Sequence, residues 1–456
     1  MEIVKISDIK PASYNPRRIS DDSFSELQGS LKTLGFILPI IINRKNMTIV
    51  AGHQRIKAST AIGITEVPAY FVDGVSLEAE VLFNQVHNGI ENEPEVLGTC
   101  TTPLEPGRFH EEVPTHSFDV STAMPSYVKD NCKLITEYGD ALCAIVCDGT
   151  VLFGNNYVRA CQALNIPCHV YVLEPSKRMM FDYYFKKNYG YFSYDHIDRA
   201  DFVQGRAQMT NKTFEHSQIY RMALPFIQAA NSRSVHIFDF GCGKGFSITH
   251  MRQVLGYRHS VGLEFFNHNR VGISIEKGNE MIDGVIRHVQ TYGLFDYVIC
   301  DSVLNSVNSQ KAEDSVLACL LLFCKPGGSI FFCGRSMKSV YEMRKFKKST
   351  KNSEYDARFL DENGLTGKLK ENQWYFQKFH SPEDVDRIIE RFGFDVFTRK
   401  DDGKMWKIGA RKVQELPDDV YMDAIDFEFN MRLPNNRRYG RHNDIRRLFG
   451  YPEKEL

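Results

Sequence analysis

Apolar positions over residues 1–90 come in short alternating groups. Glu2–Ile6 reads as a strand and Pro11–Pro16 as a turn-rich loop. Phe24, Leu27, Leu31 and Leu34 share one face of a helix over Ser23–Leu34, which Gly35 stops. Pro39–Asn43 and Thr48–Ala51 flank the polar turn Arg44–Asn46 as a hairpin. Gly52 breaks the second strand, and His53–Ile62 restarts as a helix ended by Gly63. The pattern then recurs. TIVAGHQRIKASTAIG (Thr48–Gly63) aligns without a gap with TVLFGNNYVRACQALN (Thr150–Asn165). Gly52 pairs with Gly154, and Gly63 with Asn165, the next-best residue for a left-handed helix end. Val67-Pro68 pairs with Ile166-Pro167, and Asp148-Gly149 supplies a hairpin turn. Residues 126–180 therefore read as a second, shortened copy of the same small α+β module. Residues 91–125, rich in Glu, Pro and Thr and without periodicity, read as a linker or an ordered arm.

Farther along, strands and helices alternate as in a parallel α/β sheet. Phe214–Ala230 is an amphipathic helix, Ser234–Phe240 a strand, Phe246–Leu255 a helix and Ser260–Phe265 a strand. Phe295–Cys300 is a buried strand and Ala312–Phe323 a helix, after which Lys325-Pro326-Gly327-Gly328 turns into Ser329–Cys333. Ser381–Phe392 is a helix, and Phe394–Thr398 and Met405–Ala410 form a hairpin about Asp402-Gly403. The stretch between Glu264 and Asp296 is short, so a third strand would be abbreviated. This places an α/β domain at 181–412, with an insertion at 336–380 and an extension at 413–456.

Composition adds limits. A chain of 456 residues exceeds the roughly 250–300 at which single cores stop growing, so several domains are expected. The net charge of −1 confines any nucleic-acid surface to a local patch. Eleven cysteines with no CxxC pair and no zinc spacing predict neither a disulfide framework nor a metal site, and a cytoplasmic setting is expected. The longest apolar run, Val316–Cys324, is too short to span a bilayer, so no membrane role follows.

Two constellations carry chemistry. At the first, Gly52 opens a helix beside Arg55 and Lys57; free N–H groups and a guanidinium suit an anion, although an amphipathic helix with exposed basic residues reads the same. At the second, Asp239-Phe240-Gly241-Cys242-Gly243-Lys244-Gly245 joins a strand to a helix, letting backbone approach a ligand closely. Glu264 ends the next strand twenty-five positions after Asp239, where a carboxylate can accept both ribose hydroxyls. Asp301 and Asn305 follow the strand Phe295–Cys300 and are the catalytic candidates, with a purely structural strand-end role as the alternative. Arg344, Lys345, Lys347 and Lys348 in the insertion, and Arg437, Arg438 and Arg441 in the tail, are the candidate nucleic-acid contacts. Tyr183–Tyr194 reads as a collar that packs against, or covers, the second site.

The motifs KISDIKPASYNPRRI, LQGSLKTLGFILPIII and Gly52-His53-Gln54-Arg55-Ile56-Lys57-Ala58 resemble the ParB/sulfiredoxin-like fold over residues 1–90. The resemblance implies that Gly52, His53 and Arg55 cradle the phosphates of a nucleotide, such as a nucleoside triphosphate. His53-Gln54 replaces the Glu-Arg of partition proteins, and Tyr157 replaces Arg55 in the second copy, which predicts a single working site. DFGCGKG, Glu264 and the KPGG turn resemble class I methyltransferases. That likeness implies a Rossmann-like, seven-stranded sheet. It also implies S-adenosylmethionine held by Asp239, Gly241, Gly243, Gly245, Glu264 and Asp301. The Pro-Pro-aromatic motif of amino-methylating enzymes is missing after Asp301, so the acceptor stays open. The fusion resembles those of phages and mobile elements, which implies modification of nucleic acid, foremost DNA. The alternatives are a methyltransferase for RNA, protein or a small molecule, and a DNA-binding adaptor with a non-catalytic cofactor fold. The oligomeric state is open, a dimer included.

Overall fold

The computed structural model describes residues 1–456 except 74, 91–97, 122–124, 186, 188, 196, 198–213, 268–271, 340–359, 371–372, 434–436 and 455–456. Two compact units divide the chain, one holding Met1–Ile197 and the other most of the remainder. Among the described residues no helix is long and apolar enough to cross a membrane.

The first unit is built from two sheets with one pairing scheme. Glu2–Lys5 runs antiparallel to Glu66–Val72, which is parallel to Ile40–Asn43, itself antiparallel to Thr48–Ala51. In the second sheet Arg108–Val113 runs antiparallel to Cys168–Val172, which is parallel to Ala144–Cys147, itself antiparallel to Thr150–Phe153. The helices that follow the hairpins, His53–Ala61 and Asn155–Leu164, start at left-handed glycines, Gly52 (φ 101) and Gly154 (φ 87). Asn165 closes the second helix at φ 53, matching Gly63 at φ 82. A tight Asp148-Gly149 turn joins the second hairpin, where the first has Arg44–Met47. One apolar core runs through both copies, from Leu34, Ile41 and Val50 to Ile145, Val158 and Phe181.

Two boundaries move. The segment read as a linker at 91–125 supplies the strands Gly98–Cys100, Arg108–Val113 and Phe118–Asp119, all paired into the second sheet. These strands are short and their partners lie far along the chain, so no local periodicity betrays them. The helix Arg178–Phe185 and the strand Tyr191–Phe192, read as the start of the second domain, belong to the first unit. Tyr191–Phe192 pairs with Arg17–Arg18 there.

The second unit is a Rossmann-like α/β sheet. Ser260–Leu263, Ile237–Phe240, Phe295–Cys300 and Cys324–Ser336 run parallel in that spatial order. Met405–Lys412 and Phe394–Asp401 then add antiparallel. The strand set differs from the seven expected. Ser260–Leu263 stands at the sheet edge, and the helix Ile275–Tyr292 leads straight to Phe295–Cys300 with no described strand between. The insertion contributes a hairpin instead, Leu365–Lys370 with Gln373–His380, which joins the far end of Cys324–Ser336. The aromatic run Trp374-Tyr375-Phe376 lies in that hairpin, with Phe376 buried.

The tail is part of this unit. Tyr421, Ala424, Ile425 and Phe429 of the helix Asp418–Phe429 are buried in the same core as Leu317, Leu320 and Leu321. Ile445 of the helix His442–Leu448 joins them.

Candidate functional site

The chemistry of the second unit gathers at the carboxyl ends of three adjacent parallel strands, where open α/β sheets bind ligands. Ile237–Phe240 delivers Asp239 and runs into the glycine turn. Gly241, Gly243 and Gly245 all have positive φ (80, 57 and 74), and Gly245 caps the helix Phe246–Gln253. A Cβ on Gly241 would collide with Val303 Cγ2, so only glycine fits that turn. Glu264 follows Ser260–Leu263, and Asp301 follows Phe295–Cys300.

The carboxylates are held differently. Glu264 is buried and accepts the N–H of Gly243 at 2.9 Å and of Phe266 at 2.8 Å, so it shapes the turn it faces. Burial raises its carboxyl, and those backbone bonds oppose the rise. Asp239 accepts the Tyr220 hydroxyl at Oδ2 (2.6 Å), while its buried Oδ1 has no partner. Burial pushes Asp239 up to about 8, opposed by the Tyr220 bond and aided by Asp301 and Glu264. Asp301 accepts the Ser217 hydroxyl at Oδ2 (2.8 Å) and the Ser302 hydroxyl at Oδ1 (2.9 Å). Ser302 itself sits at φ 64, a left-handed conformation for a residue with a Cβ.

Asn305 lies farther along the same loop. Its carbonyl accepts the Lys378 N–H (3.1 Å), which ties the loop to the hairpin strand Gln373–His380. Its side-chain Oδ1 is buried without a partner. Two groups escaped the sequence reading, Ser217 and Tyr220. A buried tyrosine at helical spacing reads as core, and nothing local marks its strand-end partner.

The candidate nucleic-acid contacts divide. Arg344, Lys345, Lys347 and Lys348 lie outside the described residues. Arg437 and Arg438 are exposed, with Arg438 donating to the Asn430 carbonyl at 2.7 Å. Arg441 is not a phosphate grip: its guanidinium is largely covered and pairs with Asp283 (2.6 Å) and Asp444. Arg446 is bound bidentately by Asp426, at 2.7 Å on each nitrogen. The tail arginines read as an arm because their acids, Asp283 above all, are distant in sequence.

The first unit holds a cavity of about 200 Å³ at the glycine–arginine box, lined in part by Arg17, Gly52, Gln54, Arg55 and Lys187. Tyr184, Phe185 and Tyr189 form another wall, so the aromatic stretch expected beside the second site serves this cavity instead. His53 lines the cavity as well. It is buried, its Nε2 accepts the Ala12 N–H at 3.1 Å, and burial with Lys57 nearby lowers it to about 4. It is thus a neutral pin for the loop before Arg17. Arg55 Nη1 donates to the carbonyls of Leu38 and Pro39, the latter at 3.3 Å. In the second copy Tyr157 is buried, donates to Asp140 at 2.8 Å and accepts the His169 N–H at 2.9 Å.

Residues 1–85 match the ParB N-terminal domain family. A probable chromosome-partitioning protein ParB of Xylella fastidiosa is 39% identical over 72 residues, which cover 15% of this chain and 23% of that protein. The ParB of Neisseria meningitidis serogroup A is 29% identical over 117 residues, covering 24% and 41%. The chain thus spans less than half the length of these curated relatives. Among solved structures, ParB of Caulobacter crescentus complexed with CTP-gamma-S covers 19% of this chain and 51% of its own, at 22% identity and a TM-score of 0.18. A SAM-dependent methyltransferase of Methanosarcina mazei covers 42% of this chain and 98% of its own, at 14% identity and a TM-score of 0.29.

Proposed function

We propose that the chain is an S-adenosylmethionine-dependent methyltransferase that modifies nucleic acid, foremost DNA, and carries a nucleotide-binding module at its N-terminus. The observation behind this reading is the set of strand-end carboxylates around the three-glycine turn. The residues suit the cofactor on two counts: the orphaned buried Oδ1 of Asp239 calls for a donor, and Gly245, where nothing lies within 4 Å of the place of a Cβ, leaves the turn open to a ligand. Glu264 would accept from the ribose hydroxyls with the lone pairs its backbone bonds leave free. Bound S-adenosylmethionine supplies a methyl group on a positively charged sulfur. Asp301 and Asn305 stand on the loop after Phe295–Cys300, from which the carboxylate would take a proton, and the amide oxygen a hydrogen bond, from an attacking amine.

Support for nucleic acid as acceptor comes from the ParB N-terminal match and from exposed Arg437 and Arg438. In the first unit, Gly52, Arg55, Arg17 and Lys187 would receive the phosphates of a nucleoside triphosphate, with His53 shaping the site rather than touching charge. The test incubates the full chain with methyl-labelled S-adenosylmethionine and DNA, RNA or no polymer, followed by mass spectrometry of nucleosides. Label in deoxynucleosides is the expected result; label confined to RNA or to the protein would overturn the DNA reading. Glu264→Ala should weaken cofactor binding by about 1.5–3 kcal/mol in calorimetry.

A further inference from the structure

The helix Gln218–Ala229 brings two hydroxyls to the strand ends. Its cap Ser217 accepts the Tyr220 N–H at Oγ (3.2 Å), and the same hydroxyl donates to Asp301 Oδ2 at 2.8 Å. Three residues on, the Tyr220 hydroxyl donates to Asp239 Oδ2 at 2.6 Å. Tyr220 and Asp239 are each 1% exposed. Asp239 therefore has one oxygen fixed by a phenol and one, Oδ1, buried with nothing to accept.

We propose that Tyr220 is a positioning residue for the cofactor, fixing the Asp239 carboxylate so that Oδ1 faces the ammonium of the methionyl moiety. The inference rests on the methyltransferase reading. A phenol offers one proton, so its donation to Oδ2 settles which oxygen stays open. Among the described residues, the titratable groups facing Asp239 are Tyr220 from the helix, Asp301 and Glu264 from the neighbouring strand ends, Cys242 from the turn and Cys300 from the adjacent strand. None of these is basic, so a cationic ligand supplies the missing charge, and a charge-assisted bond is the stronger kind. Ser217 serves Asp301 in parallel from the same helix end, so one element sets both carboxylates.

Calorimetry of the full chain with S-adenosylmethionine from pH 6 to pH 9.5 tests this. The wild-type affinity should rise as Asp239 ionises and fall again as the ligand's ammonium loses its proton, and Asp239→Asn should abolish the rise. Tyr220→Phe keeps the ring and removes the donor. At pH 7.5 its affinity should fall about tenfold, and its rising limb should move up by about one pH unit, because the lost bond favoured the charged carboxylate. The ligand's own amine titrates identically in both proteins, so it drops out of the comparison. A Tyr220→Phe profile that overlays the wild type overturns the proposal, as does a wild-type affinity independent of pH. Absence of any binding by the wild type would instead overturn the methyltransferase reading itself.

Discussion

Tyr157 occupies the position of Arg55 in the second copy, and the exchange turns a donor fork into a packing group. Its hydroxyl satisfies Asp140, whose carboxyl burial has raised, and it takes the His169 N–H in return. Arg55→Ala in the full chain should abolish binding of a fluorescent nucleoside triphosphate, whereas Tyr157→Phe should leave it unchanged. Tyr157→Phe should instead destabilise the first unit by about 1–3 kcal/mol, since it leaves a buried carboxylate short of a donor. Equal loss of binding in both variants would contradict the single-site reading. Glu428 offers a second residue-level test. Burial alone raises its carboxyl to about 8. Between about 4.5 and 8 the folded chain holds a proton that the unfolded chain has released, so stability falls as pH rises through that window. Glu428→Gln should flatten the slope and stabilise the second unit at pH 7 by on the order of 3 kcal/mol. Trp374 and Trp406 are the two tryptophans and both lie in that unit, so their fluorescence in urea reads it selectively. The glycines and strand-end acids were legible in the sequence because their backbone demands show in residue type. Ser217, Tyr220 and the neutral His53 were not, since their roles depend on partners that only folding supplies.

At the scale of elements, hydrophobic spacing foretold helices such as Gln310–Phe323 and buried strands such as Phe295–Cys300, but not the helices Leu77–Ile90, Ile275–Tyr292 and Asp418–Phe429. Phe295–Cys300 has its expected bounds, and the helix Pro382–Phe392 starts at Ser381 with a capping box. Short paired strands such as Phe118–Asp119 gave no signal, because two residues carry no period. The tail misled for a different reason: arginines look alike in sequence whether they grip phosphate or brace a helix. Arg446 is mostly buried against Asp426, which also receives Lys454 at 2.8 Å. Arg446→Ala should therefore destabilise the second unit by about 3–5 kcal/mol, read by tryptophan fluorescence in urea. Deleting 413–456 should leave that unit insoluble, because the helix Asp418–Phe429 covers core side chains. A soluble, cofactor-binding truncation would refute this placement of the tail.

At the scale of the molecule, the ParB N-terminal match ends at residue 85, but the core it contributes to does not. Phe83 and Val86 are buried in one cluster with Leu134, Val151 and Phe181 of the following copy. A fragment of residues 1–90 should thus fail to melt cooperatively, while 1–197 should give a single sharp transition in calorimetry. Sharp melting of the shorter fragment would show that the copies are separable.

That shared core has a consequence for how the pair behaves in a cell. Two separate subunits joined by such a surface would come apart on dilution, and their ratio would follow expression levels. Here the partner is tethered, at an effective concentration on the order of millimolar set by the connecting chain alone. The second copy is thus always present in equal number to the first. Its residues can drift, provided each replacement still fills the space that Ile41, Val50 and Phe83 pack against.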